Sequence, residues 1–363
     1  VASYADRIDG FQRRHTVVGF PLGVTYKFFD DQSNYLAATI TYYAFASVVP
    51  LLLISSSVFG FLLQGNPELK QKALDSTVSQ FPIVGQQLSS TEGIQGNAWV
   101  VVVGSLVALY GILGLGNAAQ NAVHVAWAIP RNSRPNPFLS RLYSAVLLML
   151  AGLVVIVVAT LTSLVSGAAE IFGARLDTGL RWGIDLVSVL LTAVVLTTLM
   201  RLAMQRSEKW LHLFPGSLVT ALLWQVLQRA GGAYVKHILN RADDLTAAFA
   251  VPLGLLALLY IAINMAMVGL QINVVLTRRL WPRALLTPFT DNVSLTDADR
   301  RAYAAYAKAQ RHKGFETVQV TFDKEVERPG DAATQSGEQP QAEQGSGLGG
   351  AAEEREEPST SRI

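Results

Sequence analysis

The feature that most constrains this chain is a set of six stretches, each apolar over about the 20 residues a helix needs to cross a bilayer core. They run from Leu36 to Leu63, from Ala98 to about Leu115, from Leu142 to Phe172, from Ile184 to about Met204, from Leu213 to Leu239 and from Phe249 to Leu276. The fifth carries Pro215 near its first turn, where a missing N–H costs nothing. A soluble helical core would instead show apolar stripes, with polar residues completing each turn. Val100 to Leu113 and Leu147 to Ala159 are apolar on all sides. The composition agrees: 50% of the 363 residues are hydrophobic and only 15% are charged. The expected fold class is therefore all-α, a polytopic integral membrane protein with six transmembrane helices.

The polar connections set an orientation. Thirteen Lys and Arg residues flank the spans on the amino-terminal side, among them Arg13, Arg14, Arg131, Arg201 and Arg279, against six on the other side. Positive residues are retained in the cytoplasm, which places both termini there. Four parts follow: a cytoplasmic segment 1–31, the six-helix domain 32–285, a basic helix with a short extension 286–327, and a tail 328–363. The first thirty residues have no long apolar core, so targeting is expected to come from the first span. The loop 64–97 reads as two short amphipathic helices with Leu69, Ala73, Val78 and Phe81 on one side. Thr296 and Asp299 have the spacing of a capping box and open the basic helix carrying Arg300, Arg301, Lys308 and Arg311. That helix lies either along anionic headgroups or with a solvated face. From residue 324 the chain has nine acidic residues against four basic ones and few large apolar ones, the composition of a disordered acidic tail.

Polar residues inside spans are costly in hydrocarbon unless they face protein or water, so function is read from them. On the second span Asn117, Gln120, Asn121 and His124 fall at offsets 0, 3, 4 and 7 and share one helical face. Helix-to-helix hydrogen bonding and a polar vestibule both account for such a face. The fifth span adds Gln225, Gln228 and Arg229, and the sixth adds Asn264, Gln271 and Asn273. Arg229 either snorkels toward the outer interface or binds a phosphate or carboxylate through its fork of donors. Glu170 and Asp185 sit near span ends, so a carboxylate relay through the membrane is poorly supported.

Several motifs carry a family resemblance. Tyr42-Tyr-Ala-Phe-Ala-Ser47-Val-Val-Pro50 resembles the first-span signature of the YihY/BrkB family of bacterial inner-membrane proteins. Trp127-Ala-Ile-Pro130, Pro215-Gly216-Ser217, Ala221-Leu-Leu-Trp224 and Gly269-Leu-Gln271-Ile-Asn273 match it further, over about residues 32 to 285. The resemblance implies a six-span inner-membrane fold with no settled activity, whose members have been called serum-resistance factors, ribonuclease BN and candidates for lipid or lipopolysaccharide-precursor transport. Two positions depart from the family pattern. Gln271 stands where the last motif usually has glutamate, and His124 where it often has asparagine. Arg229 is not part of the pattern.

The chemistry excludes other classes. Phosphodiester hydrolysis needs clustered metal ligands or an acid–base pair, and His15, His124, His212, His237 and His312 are scattered. Cysteine is absent, and so is a Gly-x-x-x-x-Gly-Lys-Ser/Thr phosphate loop, so no metal, cofactor or ATP-driven step is expected. The chain is read as a non-enzyme, with membrane lipids as partners and no nucleic acid; homo-oligomerisation stays open. Two functions remain: a transporter, flippase or scramblase of a lipid or other amphipathic anion, its path lined by the ten polar residues above, or a non-transporting envelope-assembly scaffold.

Overall fold

Every regular element among the described residues is helical. The computed structural model describes residues 4–62, 98–136, 138–146, 148–149, 152, 178–204, 208–239, 244–289 and 293–322, all within one unit, Val1–Phe322. The helices are α1 (Tyr4–Arg14), α2 (Thr16–Asp30), α3 (Ser33–Leu62), α4 (Ala98–Ala126), α5 (Thr178–Met204), α6 (Trp210–Leu239), α7 (Asp244–Arg278) and α8 (Asp297–Ala309). A 3-10 turn at Arg131–Ser133 and a helical stretch at 138–146 follow α4.

Four described stretches are long and apolar enough to cross a membrane: Ser105–Ala126, Leu186–Met204, Trp210–Gly231 and Pro252–Arg278. They lie on α4 to α7, on the second, fourth, fifth and sixth expected spans. The first expected span is helical as α3, whose 30 residues would extend about 45 Å. Most of the third, the loop 64–97 and the tail 328–363 lie outside the described residues. In the amino-terminal segment, which the sequence reading left without structure, α1 and α2 form, and Val24 of α2 joins the main core. α6 starts five residues ahead of Pro215, so the proline sits just past the first turn.

Two helices stop by the same device. After α4 the amide of Ile129 bonds the His124 carbonyl at 2.9 Å and that of Ala128 bonds Val125 at 2.9 Å, with Ala128 left-handed at φ 48°. After α7 the amide of Leu280 reaches the Val275 carbonyl at 3.1 Å, with Arg279 at φ 52°. These 6→1 closures satisfy carbonyls that a helix end otherwise leaves open. The Arg278 guanidinium stacks 5.8 Å over the Trp127 ring, and Trp127 is buried, which holds the two helix ends together.

α7 packs against α2, α3 and α6, while α4 packs on α3 and α5 on α6. Small residues set the crossings. An added Cβ at Gly216 of α6 would lie 1.9 Å from the Gly269 carbonyl oxygen of α7, and one at Gly269 would lie 1.9 Å from Oγ1 of Thr220. Gly114 of α4 similarly makes room for the Tyr43 ring of α3. Close backbone approach through small residues is how helices associate where lipid supplies no hydrophobic drive.

Candidate functional site

The ten candidate residues are distributed among different contacts. On α4, Gln120 is buried and donates to the Ser144 hydroxyl at 2.9 Å, while the Ser140 hydroxyl lies 3.0 Å from Oδ1 of Asn117 and 3.1 Å from Oε1 of Gln120. Half of the polar face is thus helix-to-helix bonding with the stretch 138–146. That stretch is started by Asn136, whose side chain accepts from the Leu139 amide at 2.8 Å. His124 is buried. Gln225 donates to Ser188 of α5 at 3.4 Å, and Asn264 to its own Tyr260 carbonyl at 2.8 Å. Asn273, fully buried, accepts from the Gly216 amide at 2.7 Å, beside Pro215. Gln228 is half-buried, and Arg229 is exposed two residues before the end of its apolar stretch. Ser140 brings Asn117 and Gln120 together, while Gln225, Asn264, Gln271 and Asn273 make their hydrogen bonds at four other places.

Gln271 leads to a cluster that the sequence reading missed. Its Nε2 donates to Asp31 Oδ2 at 2.8 Å and to Ser33 Oγ at 2.9 Å. The same Asp31 oxygen holds the Lys27 ammonium, and both side chains are almost wholly buried. Burial pushes the Asp31 carboxyl up and the Lys27 ammonium down, and their mutual charge opposes both shifts. An acidic residue at 271 would set a second carboxylate against Asp31, whereas the amide donates to it. Beside this pair, Arg283 is 1% exposed and is held by Asp299, with Asp30 at 3.1 Å. Its guanidinium lies 5.8 Å from the Tyr26 ring and 5.5 Å from the Tyr303 ring. Asp299 also accepts from the amides of Ala284 at 3.0 Å and Thr296 at 2.9 Å.

This network adds to the reading of the basic helix, which offered its basic face to headgroups or to solvent: that face is exposed, and the opposite face is docked. α8 docks: Ala298, Asp299 and Ala302 are buried and Ala302 joins the main core, while Arg300, Arg301 and Lys308 stay exposed. α1 is fixed to the same place, since Asp9 accepts from the Leu285 amide at 2.9 Å and Gln12 donates to the Arg283 carbonyl at 2.6 Å. The sequence signals for this cluster were the Lys27–Asp31 spacing of four and the arginine after the last span.

A second feature is open to the surroundings. Asn117 and Asn121, one turn apart, are exposed on α4. Arg134 donates to Asn121 Oδ1 at 3.2 Å and to the Ile129 carbonyl at 3.2 Å. Burial and the Arg131 charge both lower the Arg134 pKa. Arg131 Nη1 lies 3.4 Å from Nε2 of His312, and the Asn132 amide bonds the Arg311 carbonyl at 3.1 Å. Next to them Phe138, Leu142 and Tyr143 are exposed.

Apolar helices of bilayer length, crossing at glycines and bonded through buried amides, define a multi-pass α-helical membrane protein. The family model described as virulence factor BrkB matches residues 24–289, and the chain belongs to that family. It is 30% identical over 181 residues to an uncharacterized protein of Dickeya dadantii (strain 3937), covering 47% of this chain and 54% of the relative. It is 33% identical over 113 residues to the inner membrane protein YhjD of Escherichia coli (strain K12), covering 30% of this chain and 34% of the relative. The matches thus span about half of one relative and about a third of the other. No solved structure matches the chain.

Proposed function

We propose that this is a bacterial inner-membrane protein that moves a lipid or other amphipathic anion between leaflets and takes it up at the cytoplasmic end of α4. The observation that carries this reading is the exposed pair Asn117 and Asn121, set beside Arg134 and next to exposed Phe138, Leu142 and Tyr143. Such a surface offers an anionic headgroup donors and charge while its acyl chains stay against apolar side chains. The inner-membrane location draws on the name of the Escherichia coli relative, and the cytoplasmic assignment on the positive-residue count. Arg229 would be a second charged station toward the outer side.

A scaffold reading is favoured by a different observation: Gln120, Gln271 and Asn273 are buried and engaged in bonds between elements. One assay separates the two. The purified chain in liposomes should carry fluorescent phospholipid between leaflets faster than empty vesicles do, and Asn117→Leu with Asn121→Leu should slow it several-fold without lowering folded yield. Transfer no faster than in empty vesicles, with correctly inserted protein, would leave the scaffold.

A further inference from the structure

The turns after α4 and after α8 are far apart in the sequence and are joined by the Asn132 amide to the Arg311 carbonyl at 3.1 Å. Their junction gathers Arg131, Arg134, Arg311, His312 and Lys313. Arg131 and His312 lie 3.4 Å apart, with Arg131 and His312 both exposed and Arg134 half-buried. Arg134 donates to neutral oxygens of Asn121 and Ile129. The acidic residue of the second turn, Glu316, is engaged by the backbone amides of His312 at 2.7 Å and Lys313 at 3.2 Å. Glu316 also faces the charges of His312 and Arg311, but among the described residues no carboxylate bonds Arg131 or Arg134, whose like charges repel each other and would be relieved by an anion lying across both.

We propose that this junction is a binding site for a phosphate group, with Arg131 and Arg134 as its two guanidinium ligands. Two adjacent forks match the several oxygens and the double charge of a phosphate monoester better than the single charge of a carboxylate. Asn121 already bonds Arg134, so it fixes the direction of that fork. The inference deepens the transport reading, because the site lies at the foot of the exposed amides of α4. It is nevertheless tested without transport.

The chain in phosphatidylcholine nanodiscs would be given phosphatidic acid in the bilayer or inorganic phosphate in solution, with retained lipid read by native mass spectrometry and phosphate binding by calorimetry. Arg131→Gln with Arg134→Gln should weaken binding at least about tenfold, the size expected for losing a charge-assisted bond. Arg300→Gln with Arg301→Gln, exposed on α8, should change it little. Retention of phosphatidic acid alone identifies a lipid headgroup, and binding of both probes identifies the free anion as a ligand too. No binding by the unaltered chain, or equal losses in both double variants, would overturn the site. Binding without lipid transfer in liposomes would overturn the transport reading and keep the site.

Discussion

At Gly216 one added methyl group would meet the Gly269 carbonyl oxygen at 1.9 Å and Oδ1 of Asn273 at 2.6 Å. Backbone cannot retreat as a side-chain tip can, so Gly216→Ala should destabilise the protein by ~1–3 kcal/mol or more. Gly254→Ala, on α7, meets nothing within 4 Å and should be neutral or stabilise by up to ~1 kcal/mol. Thermal melting of the two variants in detergent checks this; equal melting temperatures would mean that the α6–α7 crossing is looser than described. Gly216, Gly269 and Asn273 were visible in the sequence as motif residues, but their joint purpose was not. Their contact joins positions 57 residues apart, and Asn273 read from the sequence alone is one more polar residue in a span.

At the scale of elements, the start of α8 was legible to the residue. Thr296 and Asp299 form the capping box that their spacing announces. The second role of Asp299, on Arg283, was not legible, because capping is local and this ion pair depends on the turn between α7 and α8. The two roles separate by mutation. Thr296→Ala should cost about 1 kcal/mol, the usual loss of a cap. Asp299→Ala leaves a buried guanidinium with Asp30 as its remaining acidic partner and should cost ~3–5 kcal/mol. Limited trypsin digestion should then release the segment beyond α8 much faster from the Asp299 variant than from the Thr296 variant. Equal rates would show that α8 is not docked through its acidic cap.

For the whole molecule, the sequence gives the α-helical membrane class and the positions of α4 to α7, since an apolar run of bilayer length has few other structural uses. Which polar residues meet is a matter of helix order, and helix order leaves no periodic trace. Topology can be checked directly because the chain has no cysteine of its own. Gly314 has nothing within 4 Å of an added Cβ, so Gly314→Cys is tolerated sterically. With cytoplasmic termini it should escape a membrane-impermeant thiol reagent in intact cells and react after lysis, whereas Ser90→Cys should react in both. Labelling of Gly314→Cys in intact cells would reverse the orientation. Finally, α7 is gripped from two sides: Gly269 and Asn273 fit α6, while Gln271 reaches Asp31 just ahead of α3 and Ser33 at its first position. Turning α7 about its axis would break both grips together and strand buried amides. α7 is therefore keyed in rotation, a spindle whose register is set by the neighbours on both of its sides.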